Sequence, residues 1–357
     1  MKKHIRLLSY TACFLVLSAP LITHAQDVKR TRLINKSYDV KADDKLWIEN
    51  QFGNVVVSTW DKEQITVDIE IGARASTDEK ADEIMKKIDV RDSVGGHEIR
   101  FKTKVDEIHN NKNNWGHNWG NKNGDGDQRG FYIDYIIHMP ENNRLDIDNS
   151  FGKTEVPAFK GGIALTSKFG SLNTGKLENV DMINVEFGKC YITSMNNGKV
   201  TLKFDQEARL GQVGGTVKIT SEFSQNVRIG IANDIKDLSL FESYSGIRMV
   251  VDKDLSAEID VHTSFGHFHN ESDFSIEEEK EDANDYGPHF DKDYSGKAGE
   301  GKARIKVKSS FGTVRLSYAG EREKDDDMDN DKDKHKHKNK DKDKDDEGDK
   351  DNDTADQ

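Results

Sequence analysis

Chemistry in this chain has few places to come from. His267 and His269 lie two residues apart, so on a strand their imidazoles leave the same face, a geometry that can hold a metal ion. The competing reading is a pair of solvated surface histidines. Residues 109–129 gather amides and aromatics, with Asn114, Trp115, Asn118 and Trp119 at the centre. Indole rings beside amides can stack on sugar rings, which makes these four the candidate ligand contacts. A flexible low-complexity insertion is the plainer alternative. In the same segment Asn121-x-Asn123-x-Asp125-Gly126-Asp127 resembles half of a calcium loop. Tyr132 stands where that loop needs its twelfth-position acid, and the flanks read as strands, so this is not an EF-hand.

Catalysis finds less support. Cys190 is the one cysteine left once residues 1–25 are removed, so no intramolecular disulfide forms. It shares register with apolar positions and reads as a small buried hydrophobe rather than a nucleophile. Acids and bases alternate around the repeats instead of gathering in one groove, as a polysaccharide-cleaving β-helix would require. The chain is therefore expected not to be an enzyme and to need no cofactor. Weak divalent-cation binding by the acidic stretch around Glu277–Asp282 or by the tail is the remaining metal chemistry.

The elements that would position these residues are written in a repeat. Two alternating apolar residues, a small polar one, and an aromatic followed by Gly or Ser recur as Leu46-x-Ile48-x-Asn50-x-Phe52-Gly53, Leu145-x-Ile147-x-Asn149-x-Phe151-Gly152 and Ile163-x-Leu165-x-Ser167-x-Phe169-Gly170. Further copies carry Phe187, Phe223, Tyr244, Phe265 and Phe311, and a degenerate one ends at Phe204-Asp205. Strict alternation means a strand with one buried face, and its repetition means coils that bury that face on their neighbours. From Phe151 the anchors fall at 169, 187, 204, 223, 244 and 265, steps of 17 to 21 residues, enough for two or three short strands per coil. The expected fold is all-β: a single-chain, β-helix-like solenoid with coils of about 18–21 residues. Each aromatic anchor is expected to be buried, with its glycine turning the corner at positive φ and successive anchors in successive coils. Phe-Gly thus reads as a corner staple rather than a binding motif. Lys168, Glu186, Lys203 and Glu222, each just before an anchor, predict an alternating-charge ladder across neighbouring strands.

The rest of the chain divides around this repeat. Residues 1–25 read as a secretory signal, with Lys2, Lys3 and Arg6 ahead of the apolar stretch Leu15–Ile22 and Thr23-His24-Ala25 at the cleavage site. A lead segment, 26–43, precedes the repeat domain, 44–320, which carries loop insertions at 106–129 and 270–301. An excursion between Phe52 and Phe151 holds a strand at Gln64–Ala73 and strands near His97–Val105 and Gly130–Met139. Between them lies one short helix near Thr77–Ile88, opened by a Ser76-x-x-Glu79 capping box. Its apolar stripe, Ala81, Ile84, Met85 and Ile88, is expected to cover the open end of the solenoid. Residues 321–357 hold 17 acids and 10 bases with almost no apolar side chain and read as a disordered tail. The net charge of −13 becomes −16 after signal removal, which argues against nucleic-acid or anionic-lipid partners. No further stretch is long and apolar enough to span a bilayer, so no transmembrane segment is expected in the mature chain.

The anchor repeats, the strand–helix–strand excursion and the segment Ile133-x-Tyr135-x-Ile137-x-Met139-Pro140 together resemble the putative adhesins, or auto-transporter-adhesin-like β-solenoid proteins, of bacterial envelopes. The resemblance covers about residues 40–320. It implies an exported, non-enzymatic protein that binds or scaffolds at the cell envelope, periplasmic or on the surface, with a glycan or envelope component as partner. It transfers no catalytic residues. The alternatives are a periplasmic envelope-structure or stress-response accessory protein and, less favoured, a polysaccharide-active β-helix enzyme.

Overall fold

The computed structural model describes residues 27–106, 130–279 and 290–320. The stretch 1–25 read as a signal, the Asn/Trp segment from 107 to 129, residues 280–289 and the tail from 321 lie outside them. The described residues are predominantly β, with 21 strands and one helix. The repeat units become parallel rungs in register. Lys45–Gln51 pairs with Arg144–Ser150, and Arg144–Ser150 with Phe159–Lys168. The pairing continues through Ser171–Glu186, Lys189–Lys203, Glu207–Glu222 and Val227–Ser243. Period-two alternation sends Leu145, Ile147, Ile163, Leu165, Ile183, Val200 and Leu202 inward, all buried. Each such side chain stabilises the fold by about 1.5–3 kcal/mol. The predicted charge ladder forms on the outer side, with Lys168 Nζ 3.6 Å from Glu186 and Lys203 Nζ 3.0 Å from Glu222.

The corners overturn two sequence expectations. The aromatic anchors are not buried: Phe169, Phe187, Phe204, Phe223, Tyr244, Phe265 and Phe311 each expose about half of their surface. And the aromatic, not the glycine, adopts the left-handed conformation, with φ from 52° to 66° at Phe52, Phe151, Phe169, Phe187, Phe204, Phe223, Tyr244, Phe265 and Phe311. The cause is the outward turn: a residue at positive φ reverses the alternation, so the ring leaves the core and lies over its neighbour. An L-residue there carries a cost of about 1–2 kcal/mol. Two interactions offset it. The backbone N–H of each aromatic donates to a carbonyl of the adjoining rung at 2.8–3.0 Å. The rings also stack at centroid separations of 4.5–5.2 Å. Glycine follows for a different reason than φ. A Cβ at Gly152, Gly170 or Gly188 would fall 1.8–2.3 Å from the carbonyl oxygen of the glycine in the preceding rung. Close backbone approach, not positive φ, demands glycine there.

The rungs also do not follow chain order at the C-terminal end. Tyr244 stacks on Phe311, and Phe311 on Phe265, so the last unit inserts between the two before it. Ala303–Ser310 accordingly pairs in parallel with Val227–Ser243 on one edge and with Ala257–Ser264 on the other. The segment 270–301 is no simple loop. It supplies Ser275–Glu278 and Asp291–Ala298, and the latter runs antiparallel along Ala257–Ser264 and brings Phe290 onto the end of the ring stack. Gly299 and Gly301, both at positive φ, then return the chain into the gap.

Antiparallel strands close the other end as well. Val55–Trp60 pairs with Gly130–Pro140, which runs antiparallel to Gln64–Ala75, which in turn pairs with Val28–Asp39 from the lead segment. Lys29, Arg30, Arg32 and Lys36 on that outermost strand discourage further strand addition. The helix, Asp78–Lys86, is present but begins one residue later than the capping box implies: Thr77 is the cap, accepting from the Lys80 N–H. Ala81 is buried, and Ile84 and Met85 pack on the core. The helix leans on Gln64–Ala75 and Val28–Asp39. Strands and helix therefore share the end-covering expected of the helix alone.

Two substitutions separate these causes. Gly170→Ala should destabilise the protein by about 2–3 kcal/mol or more through the backbone clash, although its φ suits alanine. Phe169→Asn, which tolerates the left-handed conformation, should cost less. Denaturant unfolding of both variants measures the order, and an alanine variant of wild-type stability would contradict the close-approach account.

Candidate functional site

The structure places the predicted site residues unevenly. Asn114, Trp115, Asn118 and Trp119 lie outside the described residues. His267 and His269 are exposed on one face of the strand His267–Asn270, as expected, with ring centroids 6.3 Å apart and planes 6° from parallel. Among the described residues no acid, cysteine or further histidine joins them in a group of three close enough to share an ion. The neighbouring His262 instead contacts Asp293 through Nδ1 at 2.7 Å. Cys190 is fully buried, and desolvation pushes its thiol pKa well up, so it is a packing residue.

The anchor rings form a continuous outward row. Ten aromatics stack in the order Phe52, Phe151, Phe169, Phe187, Phe204, Phe223, Tyr244, Phe311, Phe265 and Phe290, their planes 2–16° from parallel. Each internal face is taken by a neighbour, so along its length the row shows solvent its ring edges. Phe131 closes the first end by meeting Phe52 edge-on at 5.3 Å. The repeat made this row legible as a stack but not as a surface, because nothing in the alternation announces the reversal at the aromatic.

Two smaller features escaped the sequence reading. A groove of about 570 Å³ opens at the end of the strand Val55–Trp60, lined by Lys41, Trp60, Asp61, Lys62, Glu141 and Asn143. Trp60 stacks near His138 at 5.3 Å, donates its indole N–H to the Gln64 carbonyl at 2.7 Å, and carries the Lys62 ammonium 4.7 Å from its centroid. Asn143 ties the groove wall by donating to the carbonyls of Lys41 and Asp44. Beside it, Asp43, Asp44 and His97 bring ligand atoms within 4.8 Å of one another and could hold a divalent cation. In the structure they already contact one another at the surface, His97 Nδ1 lying 3.0 Å from Asp44 and 3.2 Å from Asp43. The Lys41 N–H, donated to the Asp44 carboxylate, holds its pKa below the usual range, with His97 adding to the shift.

Buried polar groups form a second column beneath the corners. Asn50 donates to Asn149 and to the Ile133 carbonyl, and Asn149 to Thr154, satisfying backbone that the corners leave unpaired. Where the corner glycine is replaced, side chains do the same work. Asp205 accepts from the Gly188 N–H, Ser224 from the Asp205 N–H, and Ser245 from the Ser224 N–H. Glu242, in the small-polar position, accepts from the Ser245 N–H at 2.6 Å and from the Ser309 hydroxyl of the inserted rung. Burial raises both carboxyls. Glu242 lies above its ordinary range, and Asp205 is pushed to about 6, only partly offset by the Gly188 and Lys203 N–H groups. Asp205 Oδ2 is buried with no hydrogen-bond partner.

No family model matches the chain, and no curated protein matches it either. Among solved structures it is similar to a putative cell adhesion protein from Clostridium sporogenes ATCC 15579, at 14% identity over 81% of this chain and 100% of that one, with a TM-score of 0.24. It is also similar to a putative adhesin from Bacteroides fragilis NCTC 9343, at 13% identity over 80% of this chain and 97% of that one, with a TM-score of 0.33. Identities and TM-scores this low assign neither fold nor function.

The buried carboxyl at Asp205 sets a pH dependence. A carboxyl raised in the folded state contributes most below its unfolded pKa near 3.8 and loses that contribution as pH rises through about 6. Asp205→Asn keeps an acceptor for the Gly188 N–H and removes the charge. It should stabilise the protein at pH 8 by roughly 1–3 kcal/mol and flatten the stability profile between pH 4 and 6. Thermal unfolding across that range checks both; an Asn variant less stable than wild type at pH 8 would contradict the assignment.

Proposed function

We propose that this chain is an exported, non-enzymatic β-solenoid of adhesin-like character that binds or scaffolds at the bacterial cell envelope. The observation that carries this reading is the organisation of the described surface into continuous rows along the stack. Exposed aromatic edges form one row, and charged residues paired from rung to rung form another, as at Lys168–Glu186 and Lys203–Glu222. At the first end, Lys45 bridges Glu98 and Asp146 in the same manner. A rigid, repetitive surface suits extended contact with a partner, whereas catalysis needs unlike groups converging on one reacting atom. The groove beside Trp60 adds a concave place where an aromatic ring, amides and carboxylates face a polar ligand. The export signal at 1–25 and the acidic mature chain are consistent with an envelope setting.

Placement decides between the leading reading and its runner-up. Trypsin added to intact cells should shorten the protein, since the Lys-rich tail offers many cleavage sites, while a periplasmic marker stays intact. Protection until the envelope is opened would sink the adhesive reading and favour an envelope-structure or stress-response accessory role.

A further inference from the structure

Nine rings of the aromatic row, from Phe151 to Phe290, each expose between 37% and 52% of their surface. At about 200 Å² per aromatic residue, the row presents about 900 Å² of apolar surface in one unbroken stripe. A typical monomer shows no contiguous apolar patch beyond roughly 300–600 Å². Each partner of a stable complex buries about 800 Å².

The chemistry of the stripe narrows its occupant. Cations and sugars are held by the faces of aromatic rings, and here every internal face is stacked on a neighbour. What remains is a line of C–H edges at a spacing of 4.5–5.2 Å, the period of one β-rung. A partner that matches an apolar ladder of this period along its length is a second copy of the same ladder. We propose that the chain forms a homodimer in which two copies meet spine to spine, antiparallel, about a two-fold axis crossing the row between Phe204 and Phe223.

The charged residues bordering the stripe select that register. Along one flank, in rung order, stand Ser150, Lys168, Glu186, Lys203, Glu222, Ser243, Ser310 and Ser264. A two-fold axis at the centre of the ten rings keeps this flank against itself. Lys203 of each copy then faces Glu222 of the other, while Lys168 and Glu186 face serines. A slip of one rung either way sets Lys203 against Lys203 with Glu186 against Glu222, or Glu222 against Glu222. Like charges across an interface are strongly disfavoured, so the flank permits the centred pairing and rejects its neighbours. The interface is isologous and closes, which ends assembly at two.

Sedimentation velocity on the full mature chain tests this. Wild type should sediment as a dimer at micromolar concentration. Phe187→Asn/Phe204→Asn/Phe223→Asn, which keeps residues tolerant of positive φ, should be monomeric with an unchanged far-ultraviolet spectrum. Lys203→Glu should weaken the dimer about tenfold or more, and Lys203→Glu/Glu222→Lys should restore it, a rescue that does not depend on the aromatic variant folding. A wild-type monomer at high micromolar concentration, a dimer indifferent to the aromatic triple variant, a charge swap that fails to rescue, or open-ended oligomers would each overturn the proposal.

Discussion

At each corner the amide of an aromatic residue donates to a carbonyl of the adjoining rung at 2.8–3.0 Å, and this short bridge fixes the spacing on which the rest of the molecule depends. It brings consecutive corner backbones so close that Gly152, Gly170 and Gly188 have no room for a Cβ. The same spacing sets the rings at stacking distance and places Lys168 within reach of Glu186. Left-handed backbone at a phenylalanine is unfavourable in isolation. Repetition makes it sustainable, because each rung supplies the hydrogen bond and the stacking partner for the next.

Where a corner departs from Phe-Gly, compensation is visible. Phe204-Asp205 takes one more residue before the following strand and Phe223-Ser224 two more, and Asp205 and Ser224 turn their side chains in to accept neighbouring amides. At the junction with the inserted rung a glutamate, Glu242, replaces the usual small polar residue and reaches across to Ser309. Burying carboxyls is unfavourable once they ionise, so these rungs couple the stability of the stack to pH in a way that the glycine rungs do not.

Much of this was legible in the sequence because the signal is periodic. Alternation marks the strands, the repeat marks the rungs, and Lys168, Glu186, Lys203 and Glu222 announce their pairing by alternating in sign just before successive anchors. Three things were not legible. The ring exposure was hidden, since hydrophobicity argues for burial and only the φ at the aromatic reverses it. The insertion of Ala303–Ser310 was hidden because every copy of the repeat fits every gap, and long-range order is set by how 270–301 folds back. The groove beside Trp60 and the Asp43–Asp44–His97 cluster arise from turns distant in sequence, so no local spacing announces them.

The rung order at the C-terminal end is the feature that most directly tests whether the spine is built as described. Ser243, Ser310 and Ser264 occupy equivalent outward positions in consecutive rungs, with Ser310 in the middle. Rung neighbours stand about 4.8 Å apart, inside the range a disulfide spans, and next-nearest rungs about 10 Å apart, outside it. Buried Cys190 will not compete. Mild oxidation of Ser243→Cys/Ser310→Cys should therefore give a rapid, high-yield crosslink, and Ser243→Cys/Ser264→Cys should give none. A crosslink between 243 and 264 with none between 243 and 310 would mean that the rungs follow chain order, and the continuous ten-ring spine in the order described would be wrong.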